Sequence, residues 1–96
     1  ISVDNVAGVL YLLPDEQFQL RILHRQLRDD GYGYGRYYYE EYVTDECEYK
    51  SSAPDVAYVL GDGLVVAVGP GTAVISVKFD LVLQKADQTR LTVVVE

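Results

Sequence analysis

A chain of 96 residues, 49% hydrophobic and 24% charged, is long enough for one domain with one modest core and too short for two. That composition excludes intrinsic disorder, and no apolar run approaches the ~20 residues of a membrane-spanning helix, so no membrane insertion is expected. Fifteen acidic against eight basic residues give a net charge of −7, which repels phosphate backbones, so no nucleic-acid partner is expected.

Fifteen Val and nine Tyr tilt the chain toward strands, since branched and aromatic side chains suit a pleated, half-buried surface. ISVDNVAGVLYL at the N-terminus holds one broken strand or two. QFQLRIL, residues 17–23, alternates: Phe18, Leu20 and Ile22 share one face and Gln17, Gln19 and Arg21 the other. His24, in phase with the apolar set, falls at the end of that strand in a capping or half-buried role. DVAYVL from Asp55 and LVVAV from Leu64 flank Gly61, Asp62 and Gly63, a hairpin signal. Gly69, Pro70 and Gly71 then turn the chain into TAVISVKF, where Ala73, Ile75, Val77 and Phe79 share a face. The polar stretch Lys85, Ala86, Asp87 and Gln88 suits a last hairpin leading to LTVVV from Leu91. The whole chain, residues 1–96, thus reads as a single all-β domain, a β-sandwich of about seven or eight antiparallel strands.

The order YKSSAPDVAYVLGDGLVVAVGPGTAVISVKFD, followed by LTVVV, resembles the bacterial immunoglobulin-like domain, group 2, a repeat of intimin-like and invasin-like surface proteins. Tyr49 stands where that family usually has Trp, ahead of Lys50, Ser51 and Ser52. Val56, Ala57 and Val59, then Gly63, Val65 and Ala67, then Gly71, Thr72, Ala73 and Ile75 match its pattern. Residues 43–79 carry most of the likeness. LLPDEQFQLRI looks like the family's turn and second strand, with Asp15 and Glu16 in place of the more usual Gly. The resemblance implies an immunoglobulin-like β-sandwich at an extracellular or cell-surface location. Leu27 to Tyr42 departs from the pattern.

That departure, RDDGYGYGRYYYEEY at 28–42, holds six of the nine tyrosines: Tyr32, Tyr34, Tyr37, Tyr38, Tyr39 and Tyr42. Alternating Gly and Tyr at 31–35 suits a sharply turning hairpin tip, with Tyr37, Tyr38 and Tyr39 projecting to both faces of the strand after it. Tyr offers a large amphipathic surface at small conformational cost, and recognition loops favour it for that reason. These residues are candidates for contact with a glycan, a partner protein or a neighbouring copy. The competing reading is a long hairpin whose tyrosines cover the sandwich edge and each other.

Hard oxygen ligands for calcium are offered by Asp29 and Asp30, or by Asp45 and Glu46 beside Glu48, but neither set has a complete calcium-loop spacing. Some members of the resembled family bind calcium, so calcium is the one cofactor to consider. With one Cys and one His, a metal held by those residue types within the chain is excluded. Cys47 reads as a buried thiol, with a bridge to another chain as the alternative. No second His or positioned nucleophile accompanies His24, so no enzyme is expected.

The start on Ile1 reads as a processed mature chain or a piece of a longer one. Strand-like ends suit a domain joined to neighbours. The expected function is a non-catalytic structural repeat or subunit of an extracellular bacterial surface protein or fibre, giving spacing, stiffness and lateral contacts. Its partners would be neighbouring domains or identical subunits, with Ile1 to Leu12 able to add as a strand to the next copy. The alternatives are an adhesion module binding glycan or host protein through the 28–42 hairpin, and an accessory domain of a secreted enzyme.

Overall fold

The computed structural model describes residues 1–29, 31, 33, 35–80 and 86–96. Ten strands occur among them: β1 (Ser2–Val3), β2 (Val9–Leu12), β3 (Gln17–Gln19), β4 (Ile22–Asp29), β5 (Arg36–Tyr42), β6 (Glu48–Ser51), β7 (Ala57–Val59), β8 (Leu64–Ala67), β9 (Gly71–Phe79) and β10 (Asp87–Val95). A 3-10 turn, Thr44–Glu46, lies between β5 and β6. The fold is all-β, as the composition requires. The expected seven or eight strands become ten because the strand expected from Gln17 breaks at Leu20–Arg21 into two and because Glu48–Ser51, which no sequence signal marks, forms a strand of its own.

Three sheets are present, with strand orders β2-β10-β9-β6, β3-β8-β7 and β1-β4-β5. Only Leu20 and Arg21 separate β3 from β4, and two backbone bonds carry the pairing across the gap, Leu20 N–H to Gly63 O and Asp4 N–H to Arg21 O. The last two sheets therefore form one bent layer opposite the first. Leu10, Leu12, Ala73, Ile75, Val77, Leu91, Val93 and Val95 from one layer meet Leu20, Ile22, Ala57, Val65 and Ala67 from the other in a single core. This sandwich-like packing follows from period-two alternation, because side chains one apart point to opposite faces.

Pairing is not wholly antiparallel as expected: β2 runs parallel to β10, with Val9 opposite Thr92 and Leu12 opposite Val95. The N-terminal segment holds two strands, in different sheets. Asp87 and Gln88, expected in a turn, are ladder residues opposite Phe79 and Lys78. Gln88 suits this ladder because it lies on the solvated outer side of β10 with Arg90, whereas Asp87, in phase with Leu91, is held by the amino group of Ile1. Lys85 lies outside the described residues.

The turns follow their chemistry. Gly63 closes the β7–β8 hairpin with φ +85°, where an added Cβ would meet Thr44 Cγ2 at 2.5 Å. Asp15, where the resembled pattern usually has Gly, takes φ +70°, a region that Asp tolerates better than most residues. Ser51 Oγ donates to Ala57 O (2.6 Å) and Ser52 Oγ accepts from Val74 N–H (2.8 Å), so the serine pair ties β6 to its neighbours in both layers.

Candidate functional site

The arm that leaves this body is β4 with β5. Its register runs from Leu23 opposite Tyr42 to Asp29 opposite Arg36 without a bulge. His24 is therefore not at a strand end: the strand continues five residues beyond it. HRQLRD is too polar to suggest a strand, and it pairs as one along β5, all of whose residues are exposed. At about 3.4 Å per residue, the eight residues of β4 reach roughly 27 Å. The radius of gyration of 15.6 Å exceeds the about 12.5 Å of a compact chain this long, and the extents are 54 × 23 × 17 Å. Gly31 and Gly33, with φ +82° and +76°, lie at the tip.

The base of the arm is anchored. Ile22 and Val43 are fully buried, Val43 N–H donates to Ile22 O, and Ile22 N–H donates to Thr44 Oγ1 at 2.9 Å. Tyr42 O–H donates to Asp4 Oδ2 at 2.9 Å, and that hydrogen bond raises its phenol above the ordinary value. The Arg21 guanidinium sits 4.4 Å from the Tyr42 ring centroid. Inside, His24 is 7% exposed, packs on Phe79 at 4.9 Å between ring centroids, and holds Nδ1 3.7 Å from Glu41 Oε1. Nδ1 has no hydrogen-bond partner among the described residues.

Further out, all seven residues of β5 are exposed. Tyr37, Tyr38, Tyr39 and Tyr42 are 48, 65, 39 and 50% exposed. Leu23, Arg25 and Leu27 share one face with Tyr38, Glu40 and Tyr42, while His24 and Gln26 share the other with Tyr39 and Glu41. Arg25 Nε bonds Glu40 Oε1 at 2.7 Å and its guanidinium lies 5.4 Å from the Tyr38 ring. The tyrosines thus do project to both faces, and Tyr42 packs against the sandwich through Asp4 and Arg21. Tyr32 and Tyr34 lie outside the described residues. Sequence reasoning misses Arg21, Arg25, Leu27 and Glu40. No hydrophobic period marks them, and they become cross-strand partners of the tyrosines only through the β4–β5 register.

Of the calcium candidates, Asp45 and Glu46 are exposed in the 3-10 turn, while Asp30 and the Asp29 side chain lie outside the described residues. Among the described residues no three His, Cys, Asp or Glu side chains are grouped to hold a metal ion. Cys47 is buried, its Sγ donating to Val43 O at 3.2 Å, and burial pushes its thiol up. Tyr49, beside it, donates to Thr44 O at 2.5 Å and is likewise raised by burial. Outside the arm, an open depression of about 250 Å³ lies on the outer face of β6, β9 and β10, lined by Glu48, Lys50, Ser76, Lys78 and Gln88. The arm offers ring faces, cations and carboxylates for stacking and hydrogen bonding. No protein-family model, no curated protein and no solved structure matches this chain.

Proposed function

We propose that the chain is a non-catalytic, immunoglobulin-like module of an extracellular bacterial surface protein or fibre, and that the β4–β5 arm is its contact element. The body would supply spacing and stiffness. The arm would supply lateral contacts. The observation that carries this reading is seven consecutive exposed residues, four of them Tyr, on an arm anchored at its base.

Strand order supports the immunoglobulin-like reading. If β3 and β4 count as one bent strand, the layers run β1-β3/β4-β8-β7 and β2-β10-β9-β6. This order parallels the A-B-E-D and C-F-G sheets of an immunoglobulin-type sandwich, with β2 added beside the last strand and β5 inserted between the second and third. Long exposed aromatic surface on a monomer is unusual and marks interaction sites. The same exposure favours a second reading, adhesion to glycan or host protein.

The test is a triple variant, Tyr37→Ala/Tyr38→Ala/Tyr39→Ala, compared with the native chain on glycan and host-protein arrays and in self-association. Loss of contact with an unchanged melting temperature is expected. Contacts that survive the triple variant in every assay would remove the arm from the function.

A further inference from the structure

We propose that two copies of this chain pair through the open edge of β5, antiparallel and centred on Tyr38, so that their arms merge into one sheet. This rests on the arm being a contact element, and it names the partner as a second copy.

Strand β5 is the outer member of its sheet, and among the described residues no strand flanks its other side. The bond from Val43 N–H to Ile22 O fixes the alternation of the ladder. Backbone groups of Tyr37, Tyr39 and Glu41 face β4, and those of Arg36, Tyr38, Glu40 and Tyr42 face outward. The strand carries no Pro and no bulge, two of the usual devices that stop edges from pairing.

Its sequence then selects one register. Arg36-Tyr37-Tyr38-Tyr39-Glu40 is self-complementary when reversed. Centred on Tyr38, each Arg36 lies across from Glu40 of the second copy, Tyr37 across from Tyr39, and Tyr38 beside its own counterpart. Centring on Glu40 opposes two carboxylates, centring on Tyr39 sets Glu40 against Tyr38, and parallel in-register pairing opposes two arginines. The two-fold arrangement is isologous and closes on itself.

Neighbouring rows gain from the same register. Leu27 and Tyr38 share a face and are 49 and 65% exposed. Pairing makes a continuous apolar row of Leu27, Tyr38, Tyr38 and Leu27 across four strands. Glu40, which already holds Arg25, would take a second cation from Arg36 of the other copy. An interface of this length is smaller than a standard one, so association would be weak and effective where copies are concentrated or tethered side by side.

Sedimentation of the native chain from about 10 μM to about 1 mM tests this, within the affinity range such a small contact reaches. A reversible dimer is expected. Arg36→Glu or Glu40→Arg alone should weaken it about tenfold or more, and an equimolar mixture of the two should recover it, because the charges become complementary between unlike chains. Glu40→Arg also disturbs Arg25, so Tyr38→Pro serves as a second probe: it removes an outward N–H and leaves the β4 ladder intact, and it should abolish the dimer. A chain that stays monomeric to about 1 mM, or a dimer that withstands Arg36→Glu and Tyr38→Pro, overturns the pairing. Glycan or host-protein capture by a monomeric chain, lost in the triple Tyr variant, would overturn the pairing while leaving the contact-element reading in place.

Discussion

The body and the arm are both built largely of antiparallel ladders, yet they are held by different forces. In the body, Leu20, Ile22, Val43, Val65, Ile75, Val77 and Val93 are almost wholly withdrawn from water, and burial at roughly 25 cal/mol per Å² dominates. On β5 no residue is buried. The arm relies on ladder bonds, an exposed ion pair and cation–ring contacts, each worth a fraction of a kcal/mol to about one. An isolated two-stranded ribbon is marginal in water, so this one borrows its order from the anchored base. A sequence can therefore hold a surface open to contact provided that the core below it is over-determined.

Substitutions at increasing distance from that core should separate the two regimes. Ile75→Ala, in the fully buried centre, should cost about 2–5 kcal/mol in urea unfolding and unfold body and arm together. Gly63→Ala should cost about 2–4 kcal/mol by the same measurement, because it combines a positive φ with a clash against Thr44. Tyr49→Phe leaves Thr44 O without its short hydrogen bond and should cost about 1–2 kcal/mol.

Tyr49 also gives the comparison a pH dependence. Its phenol is raised by burial in the folded chain, so unfolding releases the proton more readily. The stabilisation is complete below the unfolded value of about 10 and falls away as pH rises above it. Alkaline denaturation should be shallower in Tyr49→Phe, which melting curves at rising pH would measure. Cys47, buried at the same junction, should react with a thiol reagent only at the rate of global opening, so that Ile75→Ala accelerates labelling and Tyr38→Ala does not. The smallest effects belong to the arm: Arg25→Ala and Tyr38→Ala should change stability by within about 0.5 kcal/mol. A large loss at either would mean that the arm takes part in the cooperative fold.

The same division decides how much of the molecule is legible in its sequence. Alternation at 17–23 and 72–79, with Gly63 at a turn, announces strands and faces, because one side of each must be apolar to meet the core. Residues 25–29 carry no such signal, since a ladder with solvent on both faces imposes no hydrophobic period, and the apolar pattern stops at His24 although the strand does not. The tyrosines stand out by composition alone. Their partners Arg21, Arg25 and Glu40 do not, because cross-strand neighbours exist only once a register is known.

The parallel seam between β2 and β10 has a mechanical consequence. It runs from Val9 opposite Thr92 to Val95 opposite Leu12, and Glu96 N–H extends it by donating to Leu12 O. Tension drawing the chain outward ahead of Val9 and beyond Val95 would slide these two strands past one another. Every bond of the seam would share that load at once, where a hairpin tugged at its open end unzips bond by bond. A string of such units would yield late and abruptly under pulling, with the seam as its fuse.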